Sequence, residues 1–235
     1  MIKMTILAGR KAGLSHAEFR RYVTEVHGPL VRSVTEVAAD IRHYHYNFPL
    51  AGAVDLAFGH PLAEHLDILT QGWFDSVAAQ RANMRHPRYL SVVRPDEGRF
   101  ADESGALMHY MSESIVVGGP PPRYKAFYCR RRRAGLSRAE FQNTWRRRFA
   151  PALAEVACSA QGYVLNDTTS ESDHADGANP RYFDVIDEIG LADPAQLATL
   201  GADTAAVAHL RALESELLDT ARTHALVTET IVNIP

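Results

Sequence analysis

One stretch of this chain is written twice, and that repetition restricts the fold more than any other feature. Gly13-Leu14-Ser15-His16-Ala17-Glu18-Phe19 returns at an offset of 122 (135 less 13) as Gly135-Leu136-Ser137-Arg138-Ala139-Glu140-Phe141. In each copy a serine is placed to cap a helix, and a glutamate three residues on completes a capping box. In the first copy Phe19, Tyr22, Val23 and Val26 then follow the i, i+3, i+4, i+7 spacing of an apolar helix face. His27 lies at the edge of that face, and Gly28-Pro29 is expected to interrupt the helix, which resumes after Pro29 and ends near Ala39. In the second copy Trp145 sits one position past the counterpart of Tyr22, Pro151 matches Pro29, and Phe149 replaces His27.

Other segments repeat in the same order. Tyr44-x-x-Asn47 matches Tyr163-x-x-Asn166, Asp67-Ile68 matches Asp184-Val185, and Ser112 to Val116 matches Thr228 to Val232. Ordered, repeated motifs predict a duplicated unit. Each half reads β-α-β-β-α-β. Strands are expected at Met4–Ala8, Ile41–Phe48, Leu66–Gln71 and Tyr110–Val117, then at Tyr124–Arg130, Gly162–Asn166, Tyr182–Ile189 and Leu226–Ile234. Residues 95–105 read as polar and irregular with room for a short helical turn, and 168–180 as a polar loop. The predicted class is α+β: two ferredoxin-like βαββαβ repeats packed sheet to sheet as an intramolecular dimeric α+β barrel. Repeat 1 spans 1–118, a Gly/Pro linker 119–123, and a degenerate, structural repeat 2 spans 124–235.

Composition removes several alternatives. A formal net charge of −3 argues against nucleic acid as the main partner. No apolar run approaches the roughly 20 residues of a membrane span. The N-terminus leads straight into a strand pattern without a secretory h-region. Cys129 and Cys158 give neither a disulfide framework nor a metal spacing, so reduced thiols in a cytoplasmic protein are expected. Of 11 histidines, eight precede residue 120. The basic runs Arg130–Arg133 and Arg146–Arg148 read first as solvated faces, and alternatively as an attraction for an anionic substrate.

Arg10-Lys11-Ala12-Gly13-Leu14-Ser15, Glu18-Phe19, Tyr22 and His27-Gly28-Pro29-Leu30-Val31 resemble the signature of EthD-domain proteins in the dimeric α+β barrel superfamily. Trp73-Phe74-Asp75-Ser76 strengthens the resemblance, which covers nearly the whole chain as two copies, specific in the first and degenerate in the second. It implies chemistry without cofactor or metal on aromatic or polyketide substrates, bound between a sheet and its own helices.

His27 is the leading candidate for catalysis, as the matching family histidine and a side chain readily poised as acid or base. Its bland reading is a histidine at a helix C-terminus. His43 and His45 share one face of their strand, and Tyr44 and Tyr46 share the other. If the histidine face looks toward the helices, the three imidazoles converge as catalytic groups; otherwise the tyrosines line the pocket. Tyr22, Tyr44, Tyr46, His65, Trp73 and His109 are the expected substrate contacts. A three-histidine metal centre is a weaker reading, lacking an identifiable carboxylate partner. The expected activity is that of a cofactor-independent lyase, cyclase or isomerase using histidine acid/base catalysis on a small, apolar, aromatic or polyketide-like substrate. Rivals are a metal-free oxygenase, a histidine-based metalloenzyme and a non-catalytic binder. Pairing of the whole body with a second copy is left open.

Overall fold

In a computed structural model the described residues are 1–52, 58–63, 65–157, 160–172, 182–202 and 204–235. The first half runs β1 (Ile2–Arg10), α1 (His16–Tyr22), α2 (Gly28–Ser33), α3 (Thr35–Ala38), β2 (His43–Pro49), β3 (Ile68–Phe74), α4 (Val77–Arg85), α5 (Arg94–Glu97) and β4 (Ala101–Val117). The second runs β5 (Tyr124–Arg130), α6 (Arg138–Thr144), α7 (Ala150–Val156), β6 (Tyr163–Thr168), β7 (Val185–Leu191), α8 (Gln196–Leu200), α9 (Thr204–Leu217) and β8 (His224–Ile234).

The strands close a barrel in the order β1-β3-β2-β8-β5-β7-β6-β4, with every neighbour antiparallel. Within the first half the order is β4-β1-β3-β2, and within the second β6-β7-β5-β8. The barrel is as expected, but its two sheets are joined at their edges and not merely stacked face to face. The halves are hydrogen-bonded edge to edge at β2–β8, where Tyr46 pairs with Ile231, and at β4–β6, where Ser112 pairs with Asp167. Closure satisfies edge strands that two open sheets leave unpaired.

Both helix starts behave as their sequences require. Ser15 accepts from the backbone N–H of Glu18, Ser137 from that of Glu140, and each glutamate reaches back to its serine. Gly13 (φ 93°) and Gly135 (φ 91°) adopt the left-handed conformation in the preceding turn, which glycine enters without Cβ strain. The proline does not break the helix. A π-helical turn, Val23–His27, lets Gly28 N–H bond Val23 O, so the chain passes into α2 with Pro29 in its first turn. Trp145–Phe149 repeats the device ahead of Pro151. The wider turn accommodates a residue that offers no N–H, where a uniform α-helix would clash.

A corner clamp is repeated too. Asp67 accepts from the Arg10 backbone N–H at 2.7 Å and from its guanidinium at 2.5 Å, while Arg10 Nε donates to Leu14 O. Asp184 holds Arg132 in the same manner, and Arg132 Nε donates to Leu136 O. The arginines of the repeated motif therefore fix the end of one strand to the start of another. The solvated-face reading fails further at Arg130, which is wholly buried between Asp187 and Glu214.

Alternation along the strands divides the side chains between two environments. Leu7, Leu69, Met111, Phe127, Cys129, Ile186 and Leu226 fill one end of the barrel interior. Lys3, Gln71, Lys125, Asn166 and Glu188 form a polar network in the rest. The opposite strand faces meet the helices. On the second-half side that space is solid core, with the Trp145 and Phe149 rings stacked at 3.7 Å. On the first-half side it is partly open.

Candidate active site

The opening lies between the outer face of β1, β2 and β3 and the helical segments of the first half. It measures about 300 Å³. Ile6, Ala8, Ile68 and Met108 supply apolar sheet walls, and Val23, Met84 and Phe100 face them from the helices and the turn before β4. A smaller hollow of about 40 Å³ adjoins it past Tyr89 and Tyr44.

His27 lines this cavity and is itself buried. It sits at the end of the π-turn, where the wider winding carries it over the sheet and against the Phe100 ring at 4.7 Å. Its Nδ1 lies 3.0 Å from Asp96 Oδ2. Tyr22 donates its hydroxyl to the other oxygen, Asp96 Oδ1, at 2.5 Å, and Arg99 approaches that oxygen at 3.7 Å. An imidazole that donates from Nδ1 to a carboxylate keeps its lone pair on Nε2, the ring nitrogen left for the cavity.

Tyr44 and Tyr46 also line the space. Gly72 makes room for the first of them, since a Cβ there would stand 3.0 Å from the Tyr44 ring. Burial pushes both phenols up, and the Glu97 carboxylate adds to the effect at Tyr44. Both therefore remain protonated donors at neutral pH. At one wall Arg94 Nη1 bonds Glu97 at 2.9 Å, its two Nη atoms bond Glu103 at 2.5 and 2.9 Å, and Tyr89 donates to Glu97 at 2.8 Å.

The expected convergence of His27, His43 and His45 does not occur. Period-two alternation on β2 sends Tyr44 and Tyr46 to the helix side and the two histidines to the other side, against Trp73 at 5.8 and 4.9 Å. A sheet thus separates them from His27, which removes the three-histidine metal centre with the shared catalytic role. Among the described residues no cluster of three or more His, Cys, Asp or Glu is arranged to hold a metal ion. Trp73 lies beside Lys3 in the barrel network, not in the cavity. His109 is buried against Tyr182 and Phe183, and His65 faces His224 at 6.0 Å. Tyr22 is hydrogen-bonded to Asp96 and is not among the residues lining the cavity. Cys129 is buried, with its thiol pushed up by desolvation, and Cys158 falls outside the described residues.

Sequence reasoning missed Asp96, Glu97 and Phe100, in the stretch read as irregular, and Arg94 just before it. One signal was available: Arg94-Pro95-Asp96-Glu97 has proline and acids in a helical first turn, and the structure forms α5 there.

The EthD domain pattern matches residues 11–104, which include His27, Tyr44, Tyr46 and Asp96. The conidial pigment biosynthesis dehydratase EthD of Metarhizium robertsii is 31% identical over 131 residues, covering 52% of this chain and 91% of that protein. Among solved structures, a chlorite dismutase variant from Candidatus Nitrospira defluvii superposes with a TM-score of 0.54 at 14% identity, over 98% of this chain and 90% of that one. An anthrone oxidase-like protein gives 0.50 at 11% identity, over 99% and 93%. These two share the barrel fold.

Proposed function

This chain belongs to the EthD-domain family, and we propose that it is a lyase-type enzyme moving a proton at His27 on a small aromatic or polyketide-like substrate, in the simplest case to eliminate water. The observation that carries the reading is the His27–Asp96 pair at the wall of an apolar cavity. The dehydratase name of the Metarhizium relative supports the reaction class.

In this reading Nε2 of neutral His27 takes a proton from a carbon next to a ketone. The C–H electron pair moves into the enolate, whose oxygen receives hydrogen bonds from Tyr44 and Tyr46. The enolate then re-forms its carbonyl and expels hydroxide from the β-carbon. Hydroxide leaves as water with the proton held on His27, so the imidazole ends neutral. Asp96 holds the ring and stabilises the imidazolium between the two steps.

We also take the two halves as copies of one split βαβ unit. The repeated capping box, π-turn and arginine–aspartate clamp support this. The second copy then serves to complete the barrel, because Phe149, Trp145 and the buried Arg130 occupy its sheet–helix space.

The test is proton transfer itself. Wild-type protein should speed deuterium uptake at C1 of 2-tetralone in heavy water, followed by NMR, and His27→Asn should fall to background with an unchanged circular dichroism spectrum. Wild-type exchange rates in the variant would remove His27 from the chemistry.

A further inference from the structure

Building on the site reading above, we propose that the cavity selects an uncharged, hydroxyl-bearing ring system and turns away the corresponding carboxylate. The lining residues contain one fixed cation, Arg94, and two carboxylates, Glu97 and Glu103. Arg94 is already spent. Its Nη1 bonds Glu97 and Glu103, and its Nη2 bonds the second oxygen of Glu103. A site built to grip an anion leaves a guanidinium edge open toward the ligand. Here that edge is occupied twice by the protein's own acids.

The rest of the lining agrees. Asp96 stands behind His27, placing a third carboxylate near the same space. The remaining walls are largely Ile6, Ile68, Met84, Met108 and Phe100, which do nothing to solvate an incoming charge. Four of the seven arginines in the basic runs are neutralised at a distance from the cavity. Arg130, Arg132, Arg146 and Arg148 belong to the second half and are each paired with an acid there. What the cavity offers is complementary to hydroxyl and carbonyl groups. Glu97 and Glu103 have lone pairs for substrate O–H groups, and the Tyr44 and Tyr46 phenols donate to a carbonyl.

This choice separates reactions that the His27–Asp96 pair alone leaves equivalent. Loss of carbon dioxide begins from a carboxylate, which the acidic wall repels. Loss of water, ring closure and isomerisation start from neutral hydroxylated ketones, which it accepts.

The experiment compares two probes on one bicyclic frame by isothermal titration at neutral pH: 2,3-dihydroxynaphthalene and 3-hydroxy-2-naphthoate. The diol should bind wild-type protein at least about tenfold more tightly. Glu97→Gln/Glu103→Gln should narrow the gap several-fold, and Arg94→Gln, which bares both carboxylates, should widen it. The Arg94 and Glu103 side chains are 43% and 44% exposed, so folding should survive, as circular dichroism will check. Equal or tighter binding of the carboxylate, no measurable binding of either probe, or a gap indifferent to these substitutions would overturn the proposal. Repeating the titrations in His27→Asn keeps the two ideas apart. A retained preference there, with wild-type proton exchange, would sink the proton-transfer reading while leaving the selectivity intact.

Discussion

His27 and Asp96 are 69 residues apart in sequence and 3.0 Å apart in space, Nδ1 to Oδ2. Both are buried, and the second carboxylate oxygen is held by Tyr22 at 2.5 Å. A carboxylate pinned from both sides leaves the imidazole one tautomer and one orientation. Asp96→Asn should therefore lower kcat by about 10²–10⁴ with little change in KM, since an amide at that position can present its N–H and favour the wrong tautomer. Tyr22→Phe should cost about tenfold or less. Nitrogen NMR of His27 would separate a positioning role from a structural one: the Nδ1–H form should dominate in wild type and be lost in Asp96→Asn. An unchanged tautomer with full turnover would refute the assignment.

The cavity also depends on a missing Cβ. Gly72 lies under the Tyr44 ring, and a methyl group there would stand 3.0 Å from Tyr44 Cδ2 and 3.1 Å from Phe74 Cε2. Gly72→Ala should push Tyr44 across the space it lines, costing about 1–3 kcal/mol of stability by overpacking. KM for a bicyclic substrate should rise several-fold while the His27–Asp96 pair stays intact. Thermal unfolding and steady-state kinetics on one preparation test both expectations.

How much of this was readable beforehand depends on the range of the interaction. The capping boxes, strand alternation and duplication are local or repetitive, so residues such as Ser15, Glu18 and Phe19 announce them. The α+β class and the place of His27 on its helix followed. The direction in which β2 faces did not, because His-Tyr-His-Tyr alternation looks the same from either side; only packing against β3 and α1 sends the tyrosines outward to the helices. A barrel was expected, but the particular pairing of β2 with β8 and its register were hidden, since partners such as Tyr46 and Ile231 are far apart in sequence and leave no periodic trace. Asp96 was invisible because its significance lies in a fold-dependent meeting with His27. Arg130 misled through statistics: four consecutive arginines ordinarily face water, yet the period-two strand turns this one into the core.

His45 offers a pH-dependent stability test. Its ring is mostly buried beside Lys125, Lys3, Glu188 and His43, and its Nδ1 has no hydrogen-bond partner. Desolvation first, and then Lys125, lower its pKa from 6.5 to about 4. A folded-state pKa below the unfolded value means that the unfolded chain binds the proton first. Stability should therefore fall as pH drops from about 6.5 toward 4, by on the order of 3 kcal/mol at most, and this contribution should level off below that window. Other buried groups titrate nearby, so the quantity to measure is the difference between wild type and His45→Gln in urea unfolding across that range. The variant should lose less stability on acidification; parallel curves would show that His45 is free to charge in the native state.

The second half supplies the last test, which asks whether an imidazole alone makes a site. Phe149→His restores the residue present in the first copy, but the surroundings differ. Phe149 stacks on Trp145 at 3.7 Å, and the Arg130 guanidinium lies 4.7 Å from the Phe149 ring centroid. Arg130 is in turn bound to Asp187 and Glu214. A histidine placed there enters packed space beside a buried cation. In a His27→Asn background, Phe149→His should leave proton exchange at background and lower stability by about 1–3 kcal/mol, from lost apolar packing and burial of a polar ring. Adding Arg130→Met to clear the cation should cost a further 3–5 kcal/mol or so, because Asp187 and Glu214 then stay buried without their partner. Recovered exchange in Phe149→His would show that the second copy still holds an accessible hollow, and the assignment of catalysis to the first half would fall with it.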